Sequence, residues 1–153
     1  MKKQCKRRVW STNINPIAHA IAGAAVSDKQ SLDKLRICEL SALDSMVKGV
    51  GTPEDFRWLC DVLNIAECMA KEGIGIELLE ICGKAQKELL DAKERHDKYG
   101  KIGLSGEGIK ILRELVQMHD IQRTSVARSE YEKAIRKTAN KIRSRANDVV
   151  EIV

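Results

Sequence analysis

The segment from Pro53 to about Glu72 constrains the fold more than any other part of the chain. Thr52-Pro53-Glu54-Asp55 starts a helix by three separate means: a hydroxyl cap, a proline whose fixed φ suits the first turn, and two acids facing the positive end of the dipole. At helical spacing, Phe56, Leu59, Leu63, Ala66 and Ala70 form one apolar row, and Trp58, Val62, Ile65 and Met69 form a second. Only Arg57, Asp61, Asn64, Cys68 and Lys71 are left to make a polar stripe. A helix apolar around most of its circumference has to be surrounded by other elements. This segment therefore predicts the centre of a helical bundle.

The remaining segments supply the neighbours. Asn15-Pro16 opens a short apolar helix to about Val26, and Ser27-Asp28 starts a longer one that ends at Lys48-Gly49. That second helix places Leu32, Leu35, Leu40, Leu43, Met46 and Val47 on one side. A further helix runs from about Ile76 to Tyr99, with Leu78, Cys82, Ala85, Leu89 and Ala92 on its buried face and Gly100 as its cap. Residues 100–108 are glycine-rich and read as a flexible connection. From about Glu107 to Val126 the pattern is helical again, with Ile109, Leu112, Leu115, Val116 and His119 or Gln122 inward. Ser129-Glu130-Tyr131-Glu132 matches a capping box and begins a last helix to about Arg145, unless the two form one continuous helix. Val149–Val153 is an apolar tail. Two prolines in 153 residues, and almost no alternation of β-branched residues, argue against a sandwich or barrel. The expected fold is all-α: a compact bundle of five or six helices spanning residues 15–153 as one domain, preceded by a flexible basic arm at residues 1–14.

Five cysteines (Cys5, Cys38, Cys60, Cys68 and Cys82) form no C-x-x-C pair, and an odd, scattered set makes a poor disulfide framework. The expected location is a reducing cytoplasm, with the four helical cysteines packed as small apolar residues. Asn13, Asn15, Pro16 and His19 interrupt the apolar stretch behind the basic start, so neither export nor membrane insertion is expected.

Chemistry-bearing patterns are scarce. No histidine among His19, His96 and His119 has a glutamate three positions before it, which a di-iron bundle requires, and no zinc spacing occurs. His96-Asp97 and His119-Asp120 are adjacent pairs, and neighbours on a helix diverge by about 100°, so neither is an acid–base dyad. The stretch Gly103–Gly108 lacks the Lys-Ser/Thr end of a phosphate-binding loop and carries Glu107. The expectation is a protein without catalytic residues, metal or cofactor.

Charge is more informative. Residues 1–8 carry five basic groups and no acid, residues 128–145 carry seven basic groups against Glu130 and Glu132, and the region between them is mildly acidic. Such asymmetry points to an anionic partner. The residues expected to meet it are Lys6, Arg7 and Arg8 in the arm, and Arg128, Arg136, Lys137, Lys141, Arg143 and Arg145 in the last helix. A charge run is often only a solvated face. With five aromatic residues in the chain, stacking on single-stranded nucleic acid is not expected. Duplex DNA would use residues 109–126 and 128–145 as a helix-turn-helix, although the glycine-containing turn usual between such helices is missing.

Arg7-Arg8-Val9-Trp10, Asn15-Pro16-Ile17-Ala18, Leu32-Asp33-Lys34-Leu35-Arg36 and Arg128-Ser129-Glu130-Tyr131-Glu132 together resemble small proteins of bacteriophages and prophages. These include anti-CRISPR and other anti-defence proteins and small DNA-binding regulators. The resemblance is one of general style across most of the chain, and it implies a binding protein rather than an enzyme. The first expectation is an inhibitor of a host protein machine with an acidic surface, a CRISPR–Cas effector foremost. The alternative is a basic DNA-binding regulator of a mobile element. A homodimer is compatible with either, and neither involves a membrane.

Overall fold

A computed structural model describes residues 28–144, and these form five helices with no strand among them. We label them α1 (Lys29–Val47), α2 (Pro53–Lys71), α3 (Leu78–Tyr99), α4 (Gly106–Thr124) and α5 (Arg128–Arg143). The all-α bundle is therefore as the sequence predicts. The basic arm, the helix expected at 16–26, Cys5, Arg145 and the apolar tail all lie outside the described residues.

Local chemistry sets each boundary. Asp28 caps α1 by accepting from the Ser31 N–H at 3.0 Å. At the start of α2 the Thr52 hydroxyl accepts from the Asp55 N–H at 3.2 Å, and the Asp55 carboxylate accepts from the Thr52 N–H at 2.9 Å. Gly100 ends α3 in the left-handed region, at φ 69°. Between α4 and α5 the chain breaks for only Ser125, Val126 and Ala127, so residues 107–145 are not one helix. The cap of α5 is Ala127, which has no side-chain acceptor, and Ser129 stands inside the first turn. The capping-box pattern at Ser129 therefore does not mark the helix start; Val126 is drawn into the core and breaks the helix earlier.

α2 packs against all four other helices. Phe56, Leu59, Leu63, Ala66 and Ala70 are buried in the main core, beside Leu78, Leu89, Leu112 and Leu115. The expected polar stripe is narrower than its pattern suggests, because Asn64 and Cys68 are buried too, while Trp58 is only half-buried. On α1 the buried side is Leu32, Glu39, Ala42, Leu43 and Met46, whereas Leu40, Val47 and Cys38 are exposed. A charged residue thus takes an inward position that a leucine was expected to hold. α5 rests mainly on α2, through a smaller cluster of Met69, Val126, Tyr131 and Ala134.

The glycine-rich connection is pinned rather than free. Ile102 is buried and forms an isolated antiparallel bridge with Gly51. Ser105 caps α4 and donates its hydroxyl hydrogen to Glu88 at 2.8 Å. A Cβ on Gly108 would come within 2.6 Å of the Glu88 carboxylate, so that side-chain end would have to give way.

The central position of α2 makes a definite prediction. Leu63→Asp places an unpaired charge at a site 2% exposed, a cost of several kcal/mol against a typical total of about 5–15. Thermal denaturation followed by circular dichroism should show the cooperative transition lost or displaced by well over ten degrees. A midpoint within a degree or two of the parent would remove α2 from the centre.

Candidate functional site

α5 has two faces. Tyr131, Ala134 and Thr138 point inward, and Lys133, Arg136, Lys137, Asn140 and Arg143 are exposed. From Lys133 to Ser144 there are five cations and no carboxylate. Turning by about 100° per residue divides these cations between two edges. Lys133, Lys137 and Lys141 lie on the edge toward the end of α2, where Lys137 pairs with Glu72. Arg136 and Arg143 lie on the other edge, beside Ile135 and Ile142.

The sequence-named cations are therefore only partly brought together. Arg136, Lys137 and Arg143 share the exposed face, Lys141 is half-buried, and Arg128 is joined to Glu132 at 2.7 Å near the start of the helix. Lys6, Arg7, Arg8 and Arg145 lie outside the described residues. Lys133 belongs to the face although it was not singled out; its spacing of three and four from Arg136 and Lys137 was the available sign.

Beneath this helix is a charged junction that sequence reasoning missed. Arg123, at the end of α4, has no exposed surface. Its guanidinium donates to Glu39 of α1 at 2.6 Å and to Asp120 at 2.8 and 3.1 Å. Asp120 also accepts from Arg36 of α1. Burial works against the Arg123 charge, but the bonds and charges of Glu39 and Asp120 outweigh it, so the group is held more firmly protonated than usual. Burial similarly opposes ionisation of Asp120, yet its two arginine partners keep its carboxyl below the ordinary range. For Glu39 burial outweighs the bond and charge of Arg123 and raises its pKa, and its second oxygen is buried without a partner.

Next to Arg123 in the chain, Gln122 donates to the carbonyls of Ala66 at 3.1 Å and Ile74 at 2.7 Å. Its amide oxygen therefore faces His119 Nδ1, 2.8 Å away, and must accept from it. His119 is neutral with its proton on Nδ1, and Nε2 is buried without a donor. Burial is the main cause, with the Arg123 charge adding to it, of a pKa lowered to about 4. Tyr131 packs nearby, its ring tilted by 48° and its centre 6.1 Å from that of His119. The pair His119-Asp120 is no dyad: the imidazole turns to Gln122 and the carboxylate to Arg36 and Arg123.

Among the described residues no three His, Cys, Asp or Glu side chains converge on a metal position. Cys60, Cys68 and Cys82 are buried as expected of small apolar residues, and burial pushes the Cys82 thiol up to about 12. Cys38 departs from that expectation and is exposed. A hollow of about 650 Å³ opens beside Arg95, Tyr99 and Lys101, where α1 and α3 end. Arg95 is engaged there with the Gly103 carbonyl at 3.1 Å. No described helix is long and apolar enough to cross a membrane. Comparison with family models, curated proteins and solved structures finds no match to this chain. The molecule is thus defined by its parts: an all-α bundle with a basic outer helix.

Two predictions follow from the buried groups. Arg123→Met strands the Glu39 charge and should cost about 3–5 kcal/mol, while Glu39→Leu combined with Arg123→Met should regain a large part of it. Urea unfolding of both variants checks this, and equal losses would contradict it. For His119, the folded pKa of about 4 lies below the ordinary 6.5, so the unfolded chain binds the proton more readily. The stability it contributes is complete above about pH 6.5 and falls, by about 3 kcal/mol, as the pH drops toward 4. His119→Phe, compared with its own stability at pH 7, should lose that much less across the same window.

Proposed function

We propose that this chain is a binding protein rather than an enzyme, and that it inhibits a host protein machine by covering an acidic surface. The observation that carries the reading is the outer face of α5, where Lys133, Arg136, Lys137 and Arg143 are exposed along three turns. Such a face raises the rate of encounter with an anionic surface more than it sets the final affinity. The phage-like style of the sequence makes a CRISPR–Cas effector the foremost target, with an anti-CRISPR role.

A DNA-binding regulator is the second reading, and one feature of the fold favours it. The turn between α4 and α5 is three residues long and tucks Val126 into the core, the length a helix-turn-helix uses, although it contains no glycine. In that case α5 would meet phosphates, and five contacts would give a log–log salt slope of roughly −4.5.

The two readings separate in one experiment. The full chain is used to capture partners from host lysate with and without nuclease, alongside a gel shift on random duplex at two salt concentrations. Nuclease-resistant capture of a protein, with little duplex binding at physiological salt, is the expected result. Arg136→Glu with Arg143→Glu should slow association about tenfold at low salt and leave the thermal midpoint unchanged, because both side chains are exposed. Capture that disappears with nuclease, together with a steep salt slope, would reverse the preference.

A further inference from the structure

α1 and α5 begin side by side and enclose a groove of about 210 Å³. Each helix lines it with residues spaced by three and four, so the groove runs along both axes. Its floor is apolar: Leu32 and Tyr131 are buried, Leu35 is half-buried and Ile135 is 39% exposed. The same row continues along α5 to Ala139 and Ile142, both half-buried, for a length of about 16 Å. The edges are basic. Arg136 and Arg143 stand next to Ile135 and Ile142 on α5, and Lys34 is exposed on α1. Of the two acids at the rim, Glu132 is held by Arg128 and Asp28 caps its own helix.

We propose that this groove receives an acidic amphipathic helix of the partner protein. The idea rests on the protein-binding reading above and deepens it. Apolar residues spaced i, i+3 or i+4, and i+7 would cover Leu35, Ile135 and Ile142, and carboxylates along one edge would meet Arg136 and Arg143. A phosphate backbone has nothing to cover an isoleucine, so the apolar floor selects protein over nucleic acid. The chain's own apolar segment at residues 16–26 contains no acid and leaves both arginines unanswered.

The test uses the full ¹⁵N-labelled chain and three synthetic peptides of about 18 residues, or five turns. The first has leucines at i, i+3, i+4 and i+7 spacing with glutamates along one edge. The second replaces its glutamates by lysine, and the third replaces its leucines by serine. The first peptide should shift the amide resonances of Leu35, Tyr131 and Ile135 and bind about tenfold or more tightly than either control. Ile135→Lys should weaken it about tenfold without moving the thermal midpoint, since that side chain already meets solvent. Equal binding by the serine peptide at low salt would overturn the groove while keeping the basic-face reading. Failure of both acidic peptides at low salt would overturn both. Binding that survives Ile135→Lys, or contacts from Ile17 or Ile21 to Ile135 before any peptide is added, would also defeat the proposal. The same holds for groove shifts that depend only on protein concentration, which would assign the site to a second copy.

Discussion

A full positive charge at zero exposure is the constraint around which this bundle is organised. Arg123 keeps its proton in a place where an isolated ion would be prohibitively costly, because Glu39 and Asp120 supply both counter-charge and acceptors. Glu39 belongs to α1 and Asp120 to α4, so the junction sets how these helices meet. Arg36 then extends it to the surface through Asp120. Buried ion pairs contribute little net stability compared with apolar residues of similar size, but each partner left alone is strongly unfavourable. Removing one partner of the junction therefore costs more than the intact junction contributes.

The polar groups around Arg123 follow from the same constraint. Burial above all, with the Arg123 charge adding to it, keeps His119 neutral, its proton directed to Gln122. Gln122 spends both amide hydrogens on carbonyls of Ala66 and Ile74, which joins α4 to α2 and to the turn that follows it. Tyr131 then packs over the imidazole and brings α5 down onto the bundle. The outer helix is thus positioned by groups whose protonation states are mutually determined. Its basic face and the groove beside α1 are the outward result of that inner arrangement.

Some of this was readable from residue order and some was not. The start of α2 was, since Thr52, Pro53 and Asp55 act over a few residues and need no tertiary partner. The ends at Gly49 and Gly100 were readable for the same reason. Ser129 misled because a capping box is a local preference, and burial of Val126 a few residues earlier outweighs it. The glycine-rich connection misled differently. Glycine permits mobility, but the connection is held by residues between its glycines, Ile102 buried and bridged to Gly51 and Ser105 bonded to Glu88. The basic face of α5 was mostly legible because helical spacing alone turns Arg136, Lys137 and Arg143 away from the inward row of Tyr131, Ala134 and Thr138.

The amino-acid order by itself determined the class of fold, the course of α2 and the basic character of the last helix. Each depends on periodicity, capping or composition, which act within a few residues of chain. Tertiary structure alone decided that Glu39 and Arg123, separated by 84 positions, form the buried junction. It also decided that Asn64 and Cys68 turn inward and that α1 and α5 lie close enough to form a groove. The physical reason is that electrostatic and packing energies depend on distance in space. A glutamate in a helix reads as solvent-exposed until the fold brings an arginine within 2.6 Å of it.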